Sequence, residues 1–289
     1  MKIVDIIESD KVTLSFEVFP PKTSGQYDEV SKAAMEIASL NPDYMSVTYG
    51  AGGSTKGYTF KIASDIQKYF DVPTLAHLTC CLATKDSIKE ALSQIKENDL
   101  HNILALRGDR PKGYEGDPFI DYKYASDLIE DIVKTGDFCI GGACYPEGHV
   151  DSLNKSEDID NLKKKVEAGC SFLTTQMFFD NNIFYNFLYK VRDKGITVPV
   201  VPGIMPITRV NQVATAKKLS GCNVPERFTN MVDRFADDNE ALETAGIIYA
   251  TEQIVDLIAN GIKHIHVYSM NKPHIARGIK ENLRGIIGK

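Results

Sequence analysis

Residues 13–21 read Thr-Leu-Ser-Phe-Glu-Val-Phe-Pro-Pro, a short apolar run that a double proline ends. This composition predicts a strand over 13–19. A doubly wound open sheet often carries a G-x-G-x-x-G turn directly after its first strand, and no such turn follows Phe19. The first strand therefore favours a closed barrel over an open dinucleotide-binding sheet.

Strand-like runs alternate with helical stretches along most of the chain. Further strands are predicted at 44–48, 74–79, 102–106, 138–144, 172–176, 198–203 and 264–268. Helices are predicted at 25–40, 56–70, 85–98, 122–135, 156–168, 180–194, 208–220, near 240–261 and at 272–287, with N-caps at Asp86 and Ser156 and a loop over 221–239. This order predicts one catalytic domain over 1–289, an α/β (β/α)8 TIM barrel with an extra helix before the last strand.

The composition excludes several classes of function. A net charge of -6 and a pI near 5.6 argue against an electrostatic nucleic-acid binder. No apolar run is long enough to cross a membrane and the first residues lack a signal-peptide core, so we expect a cytoplasmic protein. The six cysteines form no C-x-x-C pair. They are interpreted as small buried hydrophobic residues in a reducing compartment, and no metal site is predicted.

Glu17 is an unusual residue for its position, because it interrupts a run of large apolar side chains. An apolar setting disfavours a carboxylate and raises its pKa, as a general acid near neutral pH requires. The alternative interpretation is a glutamate that forms a salt bridge at a strand end. The segment alone leaves both interpretations open.

Polar residues recur at or just beyond the carboxyl ends of the predicted strands. They are Glu17, Thr48, His77, Arg107-Gly108-Asp109, Tyr145 with His149, and Gln176. TIM barrels carry their chemistry at this end of the barrel. The alternative is that strand ends simply tolerate polar residues. A glycine-rich segment at 50–56 matches neither a Rossmann nor a Walker A pattern, and it suits a loop at the barrel mouth.

Two further groups of polar residues have less specific patterns. Asp158, Asn161 and Lys165 lie on one edge of a predicted helix, where a solvated helix face with an ion pair is the alternative interpretation. His264 and His266 share one face of the last strand, but no third metal ligand is evident.

Taken in order, these segments resemble the methylenetetrahydrofolate reductase family. The matching segments are 15–21 (SFEVFPP), 46–53 (SVTYGAGG), 77–80 (HLTC), 106–109 (LRGD), 124–128 (YASDL), 145–149 (YPEGH), 175–180 (TQMFFD) and 202–206 (PGIMP). Each segment is modest by itself, whereas the ordered set is highly specific. The length is similar to the bacterial form, which consists of the catalytic barrel alone.

The resemblance implies a TIM barrel with FAD at its mouth. NADH or NADPH would reduce the flavin and leave, and 5,10-methylenetetrahydrofolate would then accept the hydride to give 5-methyltetrahydrofolate. Such sequential use of one site implies ping-pong kinetics. The family tends to form homo-oligomers, and some relatives work with an accessory electron-transfer subunit.

The resemblance also implies roles for single residues. Glu17 would be the general acid, and Asp109 would act between flavin and folate as a catalytic and substrate-binding residue. The implied flavin-binding residues are Thr48, Tyr49, Ala51, His77, Arg107, Gly108, Asp109, Ala125, Tyr145, His149, Asp158, Asn161, Lys164 and Lys165. The implied folate-binding residues are Glu17, Asp109, Gln176, Gln212 and Lys272.

The chain departs from some relatives at three positions. Lys164 and Lys272 stand where some bacterial members have Arg, and lysine lacks the bidentate fork of a guanidinium. Ala216 aligns near an aromatic residue that gates the nicotinamide in some relatives. Two other functions stay open at this point: a cofactor-free barrel lyase or aldolase that uses Glu17 as acid and base, and a non-catalytic folate-binding scaffold.

Overall fold

The predicted strands assemble into one parallel sheet. The computed structural model describes residues 1–50, 56–111 and 113–288. Its strands are β1 (Thr13–Val18), β2 (Tyr44–Val47), β3 (Thr74–Thr79), β4 (Asn102–Leu106), β5 (Cys139–Cys144), β6 (Phe172–Thr175), β7 (Val200–Val201), β8 (Gly203–Ile204) and β9 (His264–Tyr268). They lie in the order β7-β6-β5-β4-β3-β2-β1-β9-β8, and the paired strands are parallel.

The sheet closes through the short strands β7 and β8, which replace the single strand predicted at 198–203. Pro202 separates them and has no N–H to donate to a strand ladder. Strand β7 pairs with β6, and β8 pairs with β9. The carbonyl of Pro202 accepts the His266 N–H at 3.0 Å. The two strands thus share one of eight positions in the ring, and the predicted TIM barrel is confirmed.

The helices lie between the strands and cover the barrel. They are α1 (Ile3–Ile7), α2 (Tyr27–Ala38), α3 (Lys56–Phe70), α4 (Lys85–Glu97), α5 (Ala125–Thr135), α6 (Lys155–Glu167), α7 (Asn181–Asp193), α8 (Val210–Ser220), α9 (Glu226–Arg234), α10 (Asn239–Ala259) and α11 (Pro273–Leu283). None of the described helices is both long and apolar enough to span a bilayer.

Three of the helix predictions were incomplete or wrong. Helix α9 lies within the predicted loop 221–239, and its nine residues are too few to show a clear helical period. Two helices, α9 and α10, therefore precede the last strand instead of the one extra helix predicted. The N-caps are Thr84 and Asn154 instead of Asp86 and Ser156. The Asn154 side chain accepts the N–H groups of Ser156 and Glu157 at 3.0 Å. Helix α1 was not predicted.

Helix α1 closes the amino end of the barrel. Its Ile3 and Ile7 are fully buried against inward-facing side chains of the strands, among them Leu104 and Phe172. The side chain of Asn102 accepts the Ile3 N–H at 2.8 Å and so fixes the helix to β4. With the amino end filled by apolar side chains, the open space of the barrel lies at its carboxyl end.

Candidate active site

A cavity of about 1360 Å3 occupies the carboxyl end of the barrel. Side chains from β1, β3 and β6, from the loops that follow the strands, and from α6 and α8 line it. Ligand pockets usually measure roughly 300–1,000 Å3. This cavity therefore has room for more than one ligand of ordinary size.

Glu17 lies at the floor of this cavity and points into the barrel. Successive side chains of a strand face opposite sides, so Phe16 and Val18 pack outward in the core against the helices. The Glu17 side chain is 20% exposed. The expectation of an apolar pocket around this carboxyl group was wrong, because the large neighbours along the strand lie on the other face.

The groups that surround the Glu17 carboxylate are polar. Its Oε2 atom lies 3.2 Å from the Ser46 hydroxyl, 3.5 Å from His77 Nε2 and 3.7 Å from His266 Nε2. Ser46 lies directly across from Glu17 on β2. His266 pairs with Ser15 on the opposite side of β1. Four strands, β1, β2, β3 and β9, thus bring one carboxylate, two imidazoles and a hydroxyl together inside the barrel.

These contacts decide the ionisation of Glu17. Burial by itself raises the pKa of the carboxyl group, whereas the hydrogen bond from Ser46 and the nearby His266 imidazole stabilise the carboxylate. The second effect prevails, and the pKa of Glu17 lies below its ordinary value of 4.5. The free protein therefore holds Glu17 as an anion, so a general acid at this position needs a source of protons.

The pKa of His77 is lowered, whereas the pKa of an exposed histidine beside a carboxylate is raised. Burial lowers the pKa of His77 from 6.5 to about 4, although the charge of Glu17 acts to raise it. Between pH 4 and pH 6.5 the unfolded chain thus binds more protons than the folded chain. The folded state therefore loses stability as the pH falls from 6.5 towards 4. The difference between the two pKa values of His77 corresponds to about 3 kcal/mol in the free energy of unfolding.

We therefore expect His77→Gln to reduce this acid sensitivity. Glutamine keeps an N–H donor but does not titrate, so the free energy of unfolding of the variant will vary less between pH 7 and 4. Urea unfolding at several pH values measures the slope, and His101→Gln, which replaces an exposed histidine, is the control. Equal slopes in the unchanged protein and His77→Gln would contradict this origin of the acid sensitivity.

Most of the predicted site residues line the cavity. They are Glu17, Thr48, Tyr49, His77, Arg107, Gly108, Asp109, Ala125, Tyr145, His149, Asp158, Asn161, Lys164, Lys165, Gln176 and Gln212. Ala51 lies outside the described residues. Lys272 does not line the cavity. Its Nζ donates to Thr208 Oγ1 at 3.1 Å, and the Thr208 N–H donates to Gln212 Oε1 at 2.8 Å.

In the segment Arg107-Gly108-Asp109, the arginine lies beside an acidic side chain and an aromatic ring. The Arg107 guanidinium lies 2.8 Å from Asp151 and 4.1 Å from the centre of the Phe119 ring. Gly108 has a positive φ of 80°, and a Cβ atom there would lie 3.0 Å from Cys81 Cβ. Only glycine fits this turn, which directs the exposed Asp109 to the cavity.

Lys165 is a half-buried cation at the side of the cavity. Its Nζ donates to the carbonyl of Ala143 at 2.8 Å, and burial lowers the pKa of the amine. In the described part of the chain, no carboxylate oxygen lies within 4.0 Å of this Nζ. Asp158 and Asn161 line the same side, as the helix spacing predicts. A half-buried ammonium group without a carboxylate partner suits an anionic ligand.

Sequence reasoning missed two members of the cluster around Glu17. Ser46 carried no distinguishing pattern, and His266 was considered only as a metal ligand. Among the described residues, no group of three or more His, Cys, Asp or Glu side chains is arranged to hold a metal ion. Strand alternation did signal that His266 faces inward, but it does not say which side chains His266 meets there.

Comparisons with known proteins place this geometry in a family. The model of a family described as methylenetetrahydrofolate reductase matches residues 2–284. The "Methylenetetrahydrofolate reductase (NADH) 1" of Arabidopsis thaliana is 37% identical over 302 residues, which are 98% of this chain and 51% of that protein. The 5,10-methylenetetrahydrofolate reductase of Escherichia coli is 33% identical over 273 residues, 94% and 91% of the two chains.

The chain thus spans about half the length of the plant relatives and nine tenths of the bacterial ones. A solved structure of an uncharacterised protein from Clostridium thermocellum that binds two copies of 5-methyl-5,6,7,8-tetrahydrofolic acid has a TM-score of 0.62 and 17% identity, covering 98% of both chains. At 17% identity, this similarity shows that the two proteins share a fold and carries no conclusion about function.

Proposed function

The chain belongs to the methylenetetrahydrofolate reductase family, and from this premise we propose that it reduces 5,10-methylenetetrahydrofolate to 5-methyltetrahydrofolate. FAD is the proposed cofactor, and NADH or NADPH is the proposed electron donor. The cytoplasmic location, the homo-oligomeric state and an accessory subunit stay predictions. The observation that carries the proposal is the place of Glu17, an ionisable group at the floor of a cavity large enough for a cofactor and a substrate together.

The residues present fit a large anionic cofactor. Lys165 offers a half-buried ammonium group that has no carboxylate within 4.0 Å in the described part of the chain. Helix α5 begins at Ala125, beside the cavity, and the free N–H groups of a helix start favour phosphate. The His77 Nε2 atom is buried and has no hydrogen-bond partner within the described residues. These three features suit a large anionic ligand.

The chemistry divides between the cofactor and the side chains. When bound, FAD would supply the hydride-transfer chemistry between NADH or NADPH and the one-carbon unit of the folate. Glu17 donates a proton to the ring nitrogen that leaves as the five-membered folate ring opens. Asp109 and Gln176 orient the folate ring from the cavity wall. Because both substrates use one cavity in turn, the kinetics are ping-pong.

Anaerobic stopped-flow absorbance tests this proposal. The purified protein, loaded with FAD, is expected to be yellow, to bleach on mixing with NADH or NADPH, and to regain its colour on mixing with 5,10-methylenetetrahydrofolate. A protein that is indifferent to flavin would instead point to a lyase or aldolase. A protein that binds folate without any colour change would point to a scaffold. Either result would overturn the reductase function.

Lys165 gives a separate prediction about cofactor binding. Lys165→Met keeps an unbranched apolar stem but removes the charge, so a charge-assisted hydrogen bond worth roughly 1.5–3 kcal/mol is lost. We expect the affinity for FAD to fall about ten- to a hundredfold. Equilibrium titration of the FAD-free protein measures it. The control is Lys163→Met, which changes an exposed lysine of the same helix. Equal affinity in both variants would mean that Lys165 does not contact the cofactor.

A further inference from the structure

Thr174 carries a hydroxyl group that has no partner in the described part of the chain. The residue is 6% exposed, and its Oγ1 atom is buried without a hydrogen bond. A buried hydroxyl without a partner is unfavourable, whereas an apolar group of the same shape avoids this cost. Valine has nearly that shape and also suits a strand. The fold of the free protein thus gains nothing from this hydroxyl.

The Thr174 side chain points into the cavity from β6. Because side chains of a strand alternate between its two faces, Leu173 packs in the core between the sheet and the helices, whereas Phe172 packs inside the barrel against α1. Thr174 lies on the same face as Phe172, two residues nearer the mouth, and it lines the cavity. The unpartnered hydroxyl therefore faces the space that a ligand would fill.

The strands next to Thr174 present apolar side chains to the same space. Ala143 of β5 pairs in register with Thr174. Ala143 lines the cavity together with Leu104 and Leu106 of β4. Such a wall suits the face of a flat ring system, because the contact buries apolar surface on both sides. The edge of the same ring would then lie near the Thr174 hydroxyl.

A second unpartnered polar atom lies beyond this apolar wall. Five buried side-chain polar atoms of the described residues lack a hydrogen-bond partner, and two of these five line the cavity. The two are Thr174 Oγ1 on β6 and His77 Nε2 on β3, and β4 and β5 lie between them in the sheet. A ring that covers the apolar wall would thus meet a polar group at each of two edges.

We propose that Thr174 is a specificity-determining residue, whose hydroxyl binds the edge of a fused heteroaromatic ring that carries carbonyl and N–H groups; this rests on the function proposed above. A hydroxyl can donate to a carbonyl or accept from an N–H group. The isoalloxazine ring of FAD and the pterin ring of the folate both have such an edge. Phosphate and carboxylate groups are excluded from this contact, because the neighbouring wall is apolar.

The proposal gives stability and binding opposite responses to one substitution. In the free protein the buried hydroxyl is unfavourable, and a bound ring satisfies it. Thr174→Val should therefore leave the free protein as stable as before or more stable, and should weaken binding. A threonine whose hydroxyl served the fold would lose stability on the same change.

Thr175, the next residue of the same strand, is the matched control for stability. It is 1% exposed, and its Oγ1 atom accepts the Gly203 N–H at 2.9 Å, which ties β6 to β8. Thr175→Val leaves that N–H without a partner and should lower the urea midpoint of the free protein. Thr174→Val should keep or raise the midpoint. A lowered midpoint in Thr174→Val would show that its hydroxyl has a partner in the fold, and would overturn the proposal.

Two equilibrium titrations measure the contact with the ligand. FAD is added to the FAD-free Thr174→Val protein, and 5-methyltetrahydrofolate is added to the FAD-loaded one. Loss of one hydrogen bond should weaken one of these affinities about three- to tenfold. A weaker affinity for FAD identifies the isoalloxazine edge, and a weaker affinity for the folate identifies the pterin edge. Unchanged affinities in both titrations would overturn the proposal.

Thr174→Ser is the rescue variant, because serine keeps the hydroxyl and loses only a methyl group. It should bind both ligands as the unchanged protein does, and equal weakening in Thr174→Ser and Thr174→Val would contradict a role for the hydroxyl. If the unchanged protein binds neither FAD nor the folate, the proposed function fails and this contact fails with it. If the unchanged protein binds both and Thr174→Val binds them equally well, the proposed function stands and this contact alone is wrong.

Discussion

Glu17→Gln is expected to slow the folate half-reaction by roughly a hundred- to ten-thousandfold, the usual contribution of general acid catalysis. Glutamine has nearly the same shape and can still accept a hydrogen bond from Ser46, so the barrel should fold as before. The amide cannot donate a catalytic proton. Reduction of bound flavin by NADH or NADPH needs no proton from this group and should keep its rate.

Anaerobic stopped-flow measurement of the two half-reactions separates these effects. The control is Glu36→Gln, which removes an exposed carboxylate from α2 and should leave both half-reactions unchanged. If Glu17→Gln retains folate reduction at the full rate, then Glu17 is not the acid. If it loses both half-reactions together, the substitution has disturbed the site as a whole.

Gly246→Ala is expected to lower the free energy of unfolding by about 3 kcal/mol, at the upper end of the usual cost of overpacking. Gly246 lies in the middle of α10, where the helix passes the segment that follows β8. A Cβ atom there would lie 1.8 Å from the Ile207 carbonyl oxygen. The clash is with backbone, which cannot rotate away as the end of a side chain can.

The change should also reach the cavity. Ile207 precedes Thr208, whose N–H is held by Gln212 of α8, and α8 forms one wall of the cavity. A shift of this segment should therefore weaken folate binding. Urea unfolding measures the stability, and titration of the FAD-loaded protein with 5-methyltetrahydrofolate measures the binding.

Gly278→Ala is the matched control for this prediction. It makes the same substitution within helix α11, where the added Cβ would lie 3.4 Å from Ile247 Cδ1. Alanine is a better helix former than glycine by about 1 kcal/mol, so Gly278→Ala should be neutral or stabilising. If the two variants have equal stability, the close approach at Gly246 does not constrain the fold.

The fold was readable from local patterns. Alternating strands and helices, and the missing glycine-rich turn after Phe19, were sufficient to predict a closed barrel. Four features were not readable. Pro202 divides the predicted seventh strand into β7 and β8. The division could not be predicted because it depends on pairing in the closed sheet, where β7 pairs with β6 and β8 pairs with β9. Helices α1 and α9 are short, so their period is weak, and the true N-caps lie two residues before the predicted ones.

The site was readable as a set of residues, but its internal contacts were not. Polar residues at strand ends predicted the lining of the cavity, and the family resemblance supplied the rest of the set. The apolar surroundings expected for Glu17 were inferred from its neighbours in sequence. In a strand those neighbours point away, and the true neighbours come from other strands.

The amino-acid sequence by itself determined the barrel, the family, and most of the side chains that line the cavity, because strand periodicity and motifs can be recognised along the chain without its contacts. Only the tertiary structure decided that Glu17 meets Ser46 and His266. These residues are separated by up to 249 positions, and their contact depends on the registers of β1 with β2 and with β9. Register follows from the closure of the whole ring, since a shift in any one strand moves its side chains to another level.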